Sequence, residues 1–231
     1  MSTTLDEPLA ITTSFPAEWT LADLQEFLGN VPARRIRLFP HPGTATEEDA
    51  LRIQDREGRL CELVDGILVE KDMASFESFI AALLVQMINN YLDQHRLGIV
   101  LTADGPLRIL PTRTRMPDVS FIRWERFPQR KIPVHQKVFQ VVPDLTVEVL
   151  SEGNTAAEMD LKLDEYRRAG VRLIWYIDPR SRSATVYTSD GREEAIDENG
   201  VLDGGDVLPG FEVRLRDLFD HPSLRGPDDA G

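Results

Sequence analysis

The chain has 231 residues, 42% of them hydrophobic and 28% charged, with a formal net charge of −13, which suits one domain with a substantial core. That acidic balance argues against a protein that coats nucleic acid through a broad basic surface, and no apolar run approaches the ~20 residues needed to cross a bilayer. Cys61 is the single cysteine, which excludes an internal disulfide and a cysteine-rich zinc site and points to a reducing cytoplasm.

Residues 1–14 are polar, lack the basic and apolar regions of a secretory signal, and are expected to be flexible ahead of a single domain over 15–220. Thr20 introduces a short helix as its N-cap, with Asp23 three positions on, and Trp19 can staple against Leu24. A second helix starts at Thr46, again followed by an acid, Asp49. The stretch RLCELVDGILVE reads as a hairpin turning at Asp65-Gly66, a pair that tolerates the positive φ angles of a tight turn. From Phe76 to Leu92 apolar residues recur in a broad helical stripe, as expected of a core helix without chemistry. GIVLTA, PLRIL, DVSFI and DLTVEVL then read as strands, and Pro128 and Pro133 keep Phe127–Gln136 irregular.

Asp144 to Asp178 reads as one βαβ unit: a strand ending near Leu150, a helix from about Thr155 to Ala169 stopped by Gly170, and the strand RLIWYID. ATVYTS returns as a hairpin strand, VLDGGDVLPGFEVRL forms another hairpin, and Leu215–Phe219 closes with a short helix. The polar tail, 221–231, is expected to be flexible. The predicted fold is α/β, a mixed sheet with a βαβ core and flanking helices.

The charges are unevenly placed. Between Arg108 and Lys137 lie eight basic residues against two acids, Asp118 and Glu125. Such an island can face phosphate or be a solvated, arginine-rich loop.

Chemistry concentrates in two strands and a helix. In DLTVEVL, alternation puts Leu145, Val147 and Val149 on one face and Asp144, Thr146 and Glu148 on the other. A carboxylate flanked by apolar residues near the end of a central strand costs free energy unless a cation or hydrogen bonds compensate. Asp144 lies about 13 Å from Glu148 along the strand, too far to share an ion. Asp118, opening the strand after Pro117, can reach Glu148 from a neighbouring strand. Two such carboxylates suit a hard divalent cation, and Mg²⁺ takes one or two with water and phosphate oxygens filling its other positions. Each residue also has a plainer reading: Asp118 as a strand cap, Glu148 in a buried pair with an arginine. Lys162 on the following helix lies four residues before Tyr166; from the residues alone it fits pairing with Glu158 or Tyr166 on an exposed face better than catalysis.

Several motifs together resemble the Uma family of restriction endonucleases, a branch of the PD-(D/E)xK nuclease superfamily. They are CELVDGILVE, MPDVSFI, PDLTVEVLSEGNTAAEMDLKLDEYRRAGVRLIWYIDP and LPGFEVRLRDLF, in order from Cys61 to Phe219. The resemblance implies a restriction-endonuclease-like fold, with Asp118 and Glu148 as the two acidic positions and metal ligands. The superfamily's usual lysine would fall on Leu150, a departure; the family's K-x-x-x-Y arrangement on the next helix matches Lys162 and Tyr166 instead. Glu62 could add an outer carboxylate. The expected function is Mg²⁺-dependent phosphodiester hydrolysis, with Mn²⁺ as substitute and DNA as substrate, by a cytoplasmic homodimer without membrane attachment. The alternative is a catalytically inactive nuclease-like fold that binds protein or nucleic acid.

Overall fold

A computed structural model describes residues 15–224 apart from Ala17 and Met73. The flexible segment expected at 1–14 lies outside the described residues, as does the tail from 225 onward, while Pro222–Leu224 form a 3₁₀ turn.

The N-terminal helices form where their caps place them. α1 (Leu21–Phe27) and α2 (Glu47–Glu57) each begin with a reciprocal capping box, Thr20 with Asp23 and Thr46 with Asp49, which satisfies backbone donors left free at a helix start. β1 (Cys61–Val64) and β2 (Ile67–Glu70) form the expected hairpin, with Asp65 at φ 48° and Gly66 at φ 78°, the left-handed pair a tight turn requires. α3 (Ser75–His95) follows, burying Ile80, Leu84, Ile88 and Leu92 on one face.

Next come β3 (Gly98–Thr102), β4 (Leu107–Leu110), β5 (Arg113–Arg115), β6 (Val119–Arg123) and β7 (Leu145–Val149). α4 (Ala156–Ala169) is capped by the Thr155 hydroxyl and ends at Gly170, left-handed at φ 89°. It leads into β8 (Leu173–Asp178), β9 (Ser183–Thr188) and β10 (Glu193–Ile196). A separate hairpin of β11 (Val201–Asp203) and β12 (Glu212–Arg214) precedes α5 (Leu215–Phe219). β5 and β10 are additions to the elements expected from the sequence.

The strands build a six-stranded sheet, ordered β10-β9-β8-β7-β6-β3, and a four-stranded antiparallel sheet, ordered β2-β1-β5-β4. Only β7 and β8 are parallel in the larger sheet, joined through α4 as the expected βαβ unit. One face of that sheet, carrying Leu145, Val147 and Trp175, is covered by α3, α5 and the β11–β12 hairpin. The other, carrying Ile122, Ile174 and Tyr176, is covered by Met159, Leu163 and Tyr166 of α4. α4 also reaches the smaller sheet through Lys162 and Glu165, whose charged groups meet Glu62 of β1 and Arg115 of β5. No helix among the described residues is long and apolar enough to cross a membrane.

Candidate active site

β7 is central, and its alternation delivers Glu148 to the face that α4 covers. In register, Val119 of β6 pairs with Val147 of β7, so Asp118 lies one step beyond that pair, beside Glu148. Asp118 Oδ2 accepts the backbone N–H of Val149, the residue after Glu148 on β7, at 2.7 Å. Asp144, four residues earlier on β7, is engaged elsewhere, accepting from Arg123 N–H and pairing with Arg126.

Lys162 is buried, with its side chain 3% exposed, and its Nζ lies 3.2 Å from Glu148 Oε1 and 3.4 Å from Glu62 Oε1. The exposed pairing with Glu158 that the residues alone favour is therefore not formed; Glu158 instead makes a buried ion pair with Arg35 at 2.7 Å. Tyr166, one turn along α4, donates its hydroxyl to the same Glu148 Oε1 at 2.5 Å. Both hydrogen bonds to Glu148 thus fall on Oε1, and Oε2 accepts none among the described residues.

Glu62 is held from two sides. Its Oε2 takes Arg115 at 2.7 Å, and its Oε1 accepts Met116 N–H at 3.0 Å. Arg115 is shared with Glu165 of α4, which also meets Arg113. With both oxygens engaged by protein donors, Glu62 fixes the lysine amine instead of standing free as an outer carboxylate.

These contacts set the protonation states. Burial opposes ionisation of Glu62, but Lys162, Arg115 and Lys71 outweigh it and hold its carboxyl well below the usual range. Burial pushes the Glu148 carboxyl up; Lys162 and Lys71 oppose that push, while the neighbouring Asp118 and Glu62 charges reinforce it. Burial also works against the charge of Lys162, yet Glu148 and Glu62 raise its pKa above the ordinary lysine value, so its amine is a cation at neutral pH.

Lys71, just past β2, is not among the residues the sequence singles out. Its Nζ lies 2.8 Å from Asp118 Oδ1 and also donates to the Met116 carbonyl, with the side chain 6% exposed. The one available signal is its place immediately after the ELVDGILVE motif.

Asp118 and Val149 open onto a cavity of about 320 Å³ whose other walls include Asp72, Glu77, Asp104 and Ser151. Among the described residues, no lysine or arginine lines it. The basic island is spent elsewhere: Arg108 pairs with Glu47, Arg113 with Asp65 and Glu165, Arg115 with Glu62 and Glu165, and Arg126 with Asp144. Arg123 and Arg130 meet Glu125, and Lys137 meets Asp55. Arg113 and Arg115 are thus held in buried or nearly buried pairs, whereas Arg130 and Lys137 form exposed surface pairs and Lys131 is exposed.

The site's fit to a divalent cation can be judged from its donors. No group of three or more His, Cys, Asp or Glu side chains among the described residues is arranged to hold a metal ion. Asp118 and Glu148 supply two hard carboxylates, and Glu148 keeps one oxygen without a hydrogen bond. That set fits Mg²⁺, which keeps several waters and needs only one or two protein carboxylates.

The Uma2 family, described as "Putative restriction endonuclease", matches residues 47–216. A crystal structure of a "putative nuclease belonging to DUF820" from Anabaena variabilis superposes with a TM-score of 0.62 at 21% identity, covering 70% of this chain and 90% of that one. At that identity the likeness establishes a shared fold. No curated protein matches the chain.

Proposed function

The chain belongs to the Uma2 family of putative restriction endonucleases, and from that membership and the site's geometry we propose that it is a Mg²⁺-dependent phosphodiester hydrolase acting on DNA. The observation that carries this reading is the register that sets Asp118 beside Glu148, with Lys162 on Glu148 and Asp118 on the wall of a cavity that also carries Asp72, Glu77 and Asp104.

Asp118 and Glu148 would hold the cation, with Mn²⁺ able to replace Mg²⁺. When bound, the cation supplies Lewis-acid stabilisation of charge developing on a phosphoryl group and lowers the pKa of water. Lys162 keeps a full positive charge next to Glu148, where it can stabilise oxyanion charge and orient water. Tyr166 and Glu62 have positioning roles, the first locking Glu148 Oε1 and the second locking the lysine amine. The acidic cavity mouth repels a polyanion, so substrate approach depends on a cation at the carboxylates. A homodimer would present two such sites to the two strands of a duplex.

A second reading is a nuclease-like fold that binds without cutting. The pairing of Arg108, Arg113, Arg115 and Arg126 with carboxylates favours it, because those four charges are already compensated within the chain and are less available to a DNA backbone.

Cleavage of plasmid DNA and of RNA with Mg²⁺ or Mn²⁺ separates the readings. The hydrolase reading expects nicking or linearisation of DNA by wild type, falling at least a hundredfold in Asp118→Ala and in Lys162→Ala. Cleavage unaffected by both substitutions rejects the mechanism. No cleavage by wild type supports the binding module, and preference for RNA overturns the substrate.

A further inference from the structure

The site contains a second buried lysine that the hydrolytic reading does not use. Lys71 reaches Asp118 from the end of β2, while Lys162 reaches Glu148 from α4. Each of the two proposed cation ligands therefore carries its own ammonium partner, and the third carboxylate, Glu62, carries Arg115.

The asymmetry between the two lysines is in their tethering. Lys162 is gripped by two carboxylates. Lys71 has one carboxylate contact, to Asp118 Oδ1, and one neutral acceptor, the Met116 carbonyl. Asp118 Oδ2 is already committed to the Val149 N–H, so Oδ1 is the oxygen on which an ammonium and an incoming cation would meet.

We propose that Lys71 is a resident counter-ion that sets the site's cation affinity, neutralising Asp118 in the cation-free protein and competing with a divalent ion for it. The proposal rests on the cation-site reading above and deepens it. With carboxylates already compensated by the chain's own cations, a divalent ion adds positive charge that those side chains do not absorb. An anionic phosphodiester can absorb it, so retention of the ion becomes coupled to the presence of substrate.

The sign of one substitution decides the matter. Lys71→Met keeps the length and apolar stem of the side chain and removes the charge; Lys71→Arg keeps the charge. Calorimetric titration with Mn²⁺, without nucleic acid, should give binding at least tenfold tighter in Lys71→Met than in wild type, and near the wild-type value in Lys71→Arg. Thermal unfolding with and without Mn²⁺ gives a second readout. The cation-induced rise in melting temperature should be larger in Lys71→Met, whose Asp118 lacks a partner until the ion arrives. Equal or weaker Mn²⁺ binding in Lys71→Met, with wild type binding normally, would overturn the counter-ion role while leaving the hydrolase reading intact. Absence of Mn²⁺ binding in wild type and both variants would overturn the two together.

Discussion

α4 meets the two sheets through opposite chemistry. Against the six-stranded sheet it lays Met159, Leu163 and Tyr166 onto Ile122, Ile174 and Tyr176, a largely apolar contact into which the Tyr166 hydroxyl on Glu148 and the Tyr176 hydroxyl on the Met159 carbonyl are set. Against the four-stranded sheet it presents Lys162 and Glu165, buried to 3% and 0% exposure, to Glu62 and Arg115. The first interface stabilises by removing apolar surface from water and tolerates modest changes of shape. The second takes charges out of water and recovers that cost only through close, fully paired geometry. An interface of that kind contributes little net stability, but it fixes where an amine sits. Lys162 is the hinge between the two, with Glu148 of one sheet and Glu62 of the other on its Nζ.

The contrast breaks most visibly at Arg115. Arg115→Met leaves Glu62 and Glu165 buried with fewer partners and should cost about 3–5 kcal/mol in urea unfolding. The acid limb of stability should move with it. Glu62 has a folded pKa below its unfolded value, so its contribution is fully present above an unfolded pKa of about 4.3 and lost as pH falls toward the folded value. Without Arg115 the folded value rises, and acid unfolding should begin at higher pH than in wild type. An unchanged acid midpoint would show that Lys162, Lys71 and the Met116 N–H hold Glu62 without Arg115.

Replacing three members of the cluster sharpens the comparison. Glu62→Met, Arg115→Leu and Glu165→Met together leave Lys162 with Glu148 and Arg113 with Asp65, so they should cost less than Arg115→Met alone, by about 1–2 kcal/mol. The same triple variant should lose cleavage, because nothing on the smaller sheet would hold the lysine. Retained cleavage would mean that Glu148 and Tyr166 suffice to place it. On the apolar side, Ile174→Val should cost about 1 kcal/mol and leave cleavage per folded molecule unchanged. Smallest of all, Arg168→Ala breaks an exposed pair with Asp164 and should shift stability by no more than about 0.5 kcal/mol.

What the sequence made legible follows the same division. Signals that act within a few residues were readable: the Thr20–Asp23 and Thr46–Asp49 boxes, the Asp65-Gly66 turn and the Gly170 cap all lie where local chemistry placed them. Alternation along β7 sufficed to turn Glu148 away from Val147 and Val149. β5 escaped because Arg-Thr-Arg carries no apolar residue, and its pairing with β1 is a long-range contact. Glu158, Lys162 and Glu165 recur at helical spacing, which reads as a solvated stripe until Arg35, Glu62 and Arg115 cover it. Part of the basic island is hidden for a related reason: Glu47, Asp65, Glu165 and Asp144 pair with Arg108, Arg113, Arg115 and Arg126 from distant parts of the chain. Lys71 was missed because its place right after the ELVDGILVE motif was the one signal it carried, and Asp118 reaches it from a distant part of the chain.

The central claim is that Asp118 and Glu148 share one cation. Anomalous diffraction from a crystal soaked in Mn²⁺ tests it most directly. The account predicts a single strong peak within bonding distance of one oxygen of each carboxylate, lost in crystals of Glu148→Gln. A peak ligated by neither residue, or one that survives that substitution unchanged, would contradict it.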